Sequence, residues 1–258
     1  MQAKKSYGQH FLKNDSIAQR IAESLRLAGQ TGLVLEVGPG TGMLTKHLLA
    51  HPDWTVYAVE ADRDMVAYLQ THYPALRERL IFKDFLDFDP TAVFGEQPFC
   101  LIGNFPYNIS TQILFKMLDY RAQIPEMVGM FQKEVADRVE SKPGSKVYCI
   151  TSVLMQAFYE TEYLFPVEPG SFNPPPKVRS AVIRLTRKEN TGLGCEEKLF
   201  RQVVKAAFNQ RRKMLRNTLK SFFPPERLMT DPFFEKRPET LGWEEYVRLC
   251  KDIEILRY

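Results

Sequence analysis

The chain has 258 residues, 44% hydrophobic and 26% charged, with a formal net charge of +4, and that length holds one large domain or one domain with a small appendage. No apolar run reaches the roughly 18 residues of a membrane helix, and the basic start "MQAKKSYGQHFLKND" lacks the apolar stretch of a secretory signal. Cys100, Cys149, Cys195 and Cys250 form no C-x-x-C pair, so a soluble cytoplasmic chain with neither a disulfide framework nor a zinc site is expected.

From residue 30 onward, short β-rich apolar runs alternate with helix-like stretches. The spacing predicts strands at 33–37, 55–59, 80–82, 99–102, 128–132 and 181–185. This alternation predicts βαβ units with right-handed crossovers, hence an α/β domain on a parallel sheet. Past Thr186 the polar stretch "TRKENTGLGCEEK" reads as a linker, and the Pro-punctuated remainder reads as short helices. Two domains are therefore expected, 1–189 and 190–258.

The strand ends carry the chemistry. The first runs into "VLEVGPGTGMLTKHL", where Gly38, Gly40 and Gly42 allow a tight turn and a close approach to a ligand, with N–H groups of a following helix behind it. The next ends are Glu60 in "TVYAVEAD", Asp84 in "RLIFKDFL" and Asn104 in "CLIGNFPY". In a parallel sheet these ends open on one carboxyl edge, where open α/β folds bind ligands. Glu60 sits where an acid accepts both ribose hydroxyls of an adenosine cofactor. Asp84 can accept from an exocyclic amine, and Phe85 can pack on a ring. The glycine spacing lacks the third glycine of dinucleotide enzymes, and no His with Tyr or Lys stands at this edge to transfer hydride. Both facts favour an S-adenosyl cofactor over a nicotinamide. His10 falls in the N-terminal segment, and His47, His51 and His72 read as surface residues.

Asn104-Phe105-Pro106-Tyr107 neither continues a strand nor starts a normal helix. An adenine amine is a poor nucleophile because its lone pair is delocalised into the ring. Two acceptors on its N–H bonds hold the nitrogen closer to tetrahedral. The Asn104 side-chain carbonyl can be one and the Pro106 carbonyl the other, with Tyr107 stacked on the base.

The segments "SYGQHFLKN", "LEVGPGTGMLT", "GNFPYNIST", "MFQKEVADRV" and "SFNPPPKVRSAV" together resemble the ribosomal RNA adenine dimethyltransferase family over nearly the whole chain. The resemblance implies a Rossmann-like S-adenosylmethionine-dependent methyltransferase sheet with one antiparallel strand, plus a small all-helical C-terminal domain that binds RNA. It implies addition of two methyls to N6 of each of two adjacent adenines in a hairpin near the 3′ end of small-subunit RNA, within an immature subunit. It also implies cofactor contacts at His10, Leu12, Gly38, Gly40, Glu60, Asp84 and Asn104, with no metal. The chain is expected to act as a monomer. Phe105 departs from the Leu or Ile more usual in the family, which touches only the shape of the pocket.

Two further features suit an RNA substrate. Phe172, ahead of the stiff 174–176 proline run, is placed to cover the face of the extruded base opposite Tyr107, the alternative being a hinge residue packed under the loop. The stretch from Arg201 to Lys220, "RQVVKAAFNQRRKMLRNTLK", carries seven basic residues and no acid. Val204, Phe208, Leu215 and Leu219 fall at helical spacing, leaving Arg211, Arg212, Lys213 and Arg216 for phosphates. Lys4 and Lys5 extend that patch. The competing readings are a methyltransferase of a large-subunit adenine, of the antibiotic-resistance kind, and a non-catalytic ribosome assembly factor.

Overall fold

A computed structural model of the chain describes residues 9–256. Its strands are β1 (Phe11–Leu12), β2 (Leu33–Val37), β3 (Thr55–Glu60), β4 (Leu80–Phe82), β5 (Cys100–Asn104), β6 (Glu126–Gln132), β7 (Tyr159–Val167), β8 (Phe172–Asn173) and β9 (Ser180–Arg187). Seven of them form one sheet in the order β4-β3-β2-β5-β6-β9-β7. From β4 to β6 every pairing is parallel, and β9 runs antiparallel to β6. The central strands are continuous apolar runs because helices cover both faces. Leu35, Ile102, Val128 and Ile183 are fully buried.

The six expected strands are all present, with ends shifted by one or two residues in four of them. The expectation did not include β1, β7 and β8. The two-residue β1 and β8 form their own antiparallel ribbon, with Phe11 opposite Asn173 and Leu12 opposite Phe172. A pair that short, formed across 160 residues of sequence, leaves no local periodicity. The strand β7, "YETEYLFPV", does alternate buried and exposed positions at several steps, a readable signal.

The chain packs as two compact units. One takes residues up to Ala136 together with Thr161–Arg187, and the other takes Asp137–Glu160 together with the residues from Lys188 onward. Packing thus groups 137–160 with the helices that follow Lys188. The reason is that helix Ile150–Phe158 packs on helices Glu197–Phe208 and Trp243–Leu256.

The single amphipathic helix expected across 201–220 is two. The first ends at Phe208, residues 209–214 form a turn, and helix Leu215–Thr218 follows. Val204, Phe208, Leu215 and Leu219 are nonetheless all buried. Lys4 and Lys5 lie outside the described residues. Among the described residues no helix is long and apolar enough to cross a membrane.

Candidate active site

The carboxyl edge of β2, β3, β4 and β5 opens on a cavity of about 220 Å³. Its lining brings together His10, Gly38, Gly40, Glu60, Asp84, Phe85, Asn104, Pro106 and Tyr107. Glu60 and Asn104 are the last residues of β3 and β5, whereas Asp84 stands two residues beyond β4.

The glycine turn presents backbone. Gly38 and Gly40 have φ of 67° and 56°, a region that costs other residues steric strain. A Cβ on Gly40 would lie 3.0 Å from the Phe11 ring, so glycine lets the N-terminal segment close on the turn. The helix behind the turn begins only at Thr45 and runs five residues, so the turn itself, not a helix end, faces the cavity. The Tyr73 ring fills the space beside Gly42, and its hydroxyl donates to the Gly42 carbonyl at 3.0 Å.

Glu60 is buried, which pushes its carboxyl above the ordinary range, while backbone donors of Asp62, Gly40 and Ala61 oppose the shift. Gly40 N–H donates to Oε2 at 3.1 Å and Asp62 N–H to Oε1 at 2.9 Å. Each oxygen keeps a further lone pair, as acceptance of two ribose hydroxyls requires. Asp84 is exposed to the cavity and accepts the Leu86 N–H through Oδ1. Beside it the Phe85 ring lies against the Lys116 ammonium at 5.5 Å, and Lys116 Nζ donates to the Leu86 carbonyl at 2.7 Å. An acid for hydroxyls, an acid for an amine, an aromatic wall and an open backbone turn together fit S-adenosylmethionine.

Asn104 has its amide direction imposed. Its Nδ2 donates to the backbone carbonyl of His10 at 3.0 Å. Only the NH₂ end of the amide can satisfy a carbonyl, so Oδ1 is the end left as an acceptor. The carbonyl expected as the second acceptor, that of Pro106, is already engaged. The Pro106 carbonyl accepts the Ser110 hydroxyl at 2.9 Å and the Ile109 N–H at 3.3 Å, which turns it into the next helix. The carbonyl immediately before the proline, that of Phe105, accepts no donor among the described residues. Pro106 still serves it by supplying no N–H of its own.

The Phe105 side chain is 1% exposed and packs against Phe131 at 5.0 Å between ring centres. It rests on two glycines that face each other across β5 and β6, Gly103 and Gly129. A Cβ on Gly129 would fall 2.2 Å from the Phe105 ring and one on Gly103 2.8 Å from it. The bulk of Phe105 is thus accommodated by the absence of side chains beneath it.

Tyr107 lines the cavity half-buried, with its ring 5.2 Å from the His10 ring and its hydroxyl hydrogen-bonded to Ser180. Burial raises its phenol above the ordinary range, so the ring is neutral at physiological pH.

Two expectations need correction. Phe172 does not line the cavity: it is 1% exposed, in the core beneath the β1–β8 ribbon, opposite Leu12. A ring with no free face cannot cover a base. Leu12 is likewise buried and borders a smaller cavity of about 30 Å³ shared with Gly38, Gly40 and Asn104. His10, first read as outside the edge, is inside it, as the family resemblance implied. Sequence reasoning missed Gln9, Phe11, Asp62, Tyr73 and Lys116 altogether. Of these only Asp62 had a local signal, standing two residues past Glu60 as a helix N-cap.

Of the four expected RNA-contacting cations, two are already engaged within the helical unit. Arg211 donates to the Ser145 carbonyl at 3.0 Å, and Arg216 lies 3.5 Å from Glu235. Arg212 and Lys213 are exposed in the turn. Among the described residues no group of three or more His, Cys, Asp and Glu could hold a metal ion.

Comparison with known proteins bears on the same features. The family model for ribosomal RNA adenine dimethylase matches residues 1–236. A ribosomal RNA small subunit methyltransferase A of Flavobacterium johnsoniae is 54% identical over 98% of this chain and 97% of its own. Its counterpart in Bacteroides thetaiotaomicron is 52% identical over 97% and 94%. Among solved structures, a dimethyladenosine transferase from Plasmodium falciparum superposes with a TM-score of 0.78 at 26% identity, covering 95% of this chain and 98% of that one. The 23S rRNA methyltransferase ErmE does so with a TM-score of 0.70 at 25% identity, covering 95% and 99%.

Proposed function

The chain belongs to the ribosomal RNA adenine dimethylase family, and on that premise we propose that it dimethylates N6 of two adjacent adenosines in the 3′-terminal hairpin of small-subunit rRNA, acting as a monomer on an immature subunit in the cytoplasm. It is an S-adenosylmethionine-dependent rRNA adenine dimethyltransferase. The relatives that share half its sequence carry the small-subunit name. The large-subunit enzyme shares the fold at 25% identity. That difference favours the small subunit as substrate.

When bound, S-adenosylmethionine supplies an electrophilic methyl group. Glu60 holds the ribose hydroxyls, and Asp84 with Phe85 holds the adenine ring of the cofactor. The observation that carries the chemical reading is the pair of acceptors at the end of β5: Asn104 Oδ1, aimed by the His10 carbonyl, and the Phe105 carbonyl, held by its seated ring. Together they take the two N–H bonds of the target amine and point its lone pair away from the base plane. Tyr107 supplies a face for the ring that has left the RNA stack. No side chain has to remove a proton before transfer, because the amine becomes acidic only as the new N–C bond forms. Arg212 and Lys213 contact phosphates of the RNA.

The test is to map dimethyladenosine in small-subunit RNA from cells with and without this protein. Loss of both modified adenosines without it is the expected result. Methyl transfer only to naked large-subunit RNA, with small-subunit RNA unchanged, overturns the proposal.

A further inference from the structure

The segment that aims Asn104 is itself tied down at a point outside the pocket chemistry described so far. Residues 9–11 line the cavity ahead of and within the short β1–β8 ribbon. On the ribbon side the segment is held by strand pairing, by Lys13 N–H to the Ser171 carbonyl at 2.9 Å, and by a 2.9 Å contact between His10 Nδ1 and the Pro174 carbonyl. On the other side, toward β3, Gln9 Nε2 donates to Asp62 Oδ2 at 3.0 Å. His10, whose carbonyl takes the Asn104 amide, lies between these anchorages.

Asp62 is a stiff anchor. It is 1% exposed, and its other oxygen caps the helix Arg63–His72 by accepting the Asp64 N–H at 3.0 Å. Its own N–H donates to Glu60, the acid assigned to the cofactor ribose. A continuous path of hydrogen bonds and one peptide step therefore runs from Glu60 through Asp62 and Gln9 to the His10 carbonyl and Asn104.

We infer that Gln9 is a positioning residue, whose bond to Asp62 fixes the His10 carbonyl and through it turns the Asn104 amide with its oxygen toward the target amine. A neutral amide is what this place requires. A carboxylate here would repel Asp62, and an aliphatic residue would remove the bond from Gln9 Nε2 to Asp62 Oδ2. The inference rests on the reading that Asn104 accepts from the amine.

The test measures single-turnover methyl transfer from radiolabelled S-adenosylmethionine to immature small subunits, alongside cofactor affinity by calorimetry and thermal stability. Gln9→Glu sets two carboxylates against each other, and transfer falls about tenfold or more with cofactor affinity changed less. Gln9→Glu combined with Asp62→Asn rebuilds the bond with donor and acceptor exchanged, and the rate returns to within about threefold of the parent. Gln9→Ala, which adds no charge, falls between the parent and Gln9→Glu. A paired variant no faster than Gln9→Glu at equal thermal stability overturns the inference, and so does a Gln9→Glu enzyme as fast as the parent. Asn104→Ala, run in parallel, separates the two levels. If it is fully active, the acceptor reading fails and this inference with it. If it is inactive while Gln9→Glu is fully active, only the positioning role fails.

Discussion

The loop after β5 keeps its decisive groups against buried neighbours, whereas the turn after Phe208 holds its cations in the open. Phe105 rests on paired glycines, Asn104 is turned by a backbone carbonyl, and Tyr107 is bonded to a buried serine. Arg212 and Lys213 are exposed, on a turn between two helices. The contrast follows from the tasks assigned to them. Aiming a lone pair at a methyl group tolerates errors of well under an ångström, so the aiming groups need walls. Holding a phosphate needs charge more than direction, and a mobile cation serves.

If buried walls make the site, removing one costs stability first. Phe172→Ala empties a core position and is expected to lower unfolding free energy by about 3–5 kcal/mol, with activity lost in proportion to unfolding. Calorimetric or denaturant unfolding checks it. An unchanged stability with lost activity would restore Phe172 as a stacking residue and blur the contrast. Gly129→Ala drives a methyl into the Phe105 ring and is expected to cost about 1–3 kcal/mol along with most of the methyl transfer. Adding Phe105→Leu is expected to return much of both, which a double-mutant cycle reads directly.

A subtler wall lies under the glycine turn. Glu36 is fully buried, accepting the Thr45 hydroxyl at 2.6 Å. Burial lifts its carboxyl from 4.5 to about 8. Between those values the folded chain holds a proton that the unfolded chain has released, so this group makes stability fall as pH rises through that window. Glu36→Gln keeps the acceptor for Thr45 and removes the charge. Its stability is expected to be higher than the parent's at pH 8, with the pH slope flattened, in thermal unfolding followed across that range. The open region gives the smallest effect. Arg212→Ala with Lys213→Ala is expected to weaken RNA binding and lower the slope of log affinity against log salt by about 1.5, without touching thermal stability. Arg211→Ala, by contrast, is expected to lower thermal stability, because its guanidinium holds the Ser145 carbonyl.

The same division decides what could be read from the sequence. Strand ends were legible at Gly38, Glu60 and Asn104 because a buried parallel strand is a continuous apolar run and its polar terminus stands out. Asp84 was legible for the same reason, although it stands two residues past its strand. The supports were not. Gln9 and Asp62 are 53 residues apart, and nothing local to either announces the bond. Gly129 matters through the space it leaves, and a missing side chain has no periodicity. Phe172 looked exposed beside stiff prolines, yet its pairing partner Leu12 lies far away in sequence and buries it. The helix break after Phe208 was hidden because Val204, Phe208, Leu215 and Leu219 keep a helical spacing across the turn and all reach the core. Arg211 and Arg216 were read as phosphate ligands because their partners, Ser145 and Glu235, are remote.

The most direct measurement compares the parent with Asn104→Ala, taking methyl-transfer rate and S-adenosylmethionine dissociation constant on the same preparations. An acceptor aimed at the amine predicts a rate lower by about 100-fold or more with the dissociation constant moved only a few-fold. Equal losses in rate and cofactor affinity would contradict it, and would make Asn104 a residue that holds the cofactor rather than the target base.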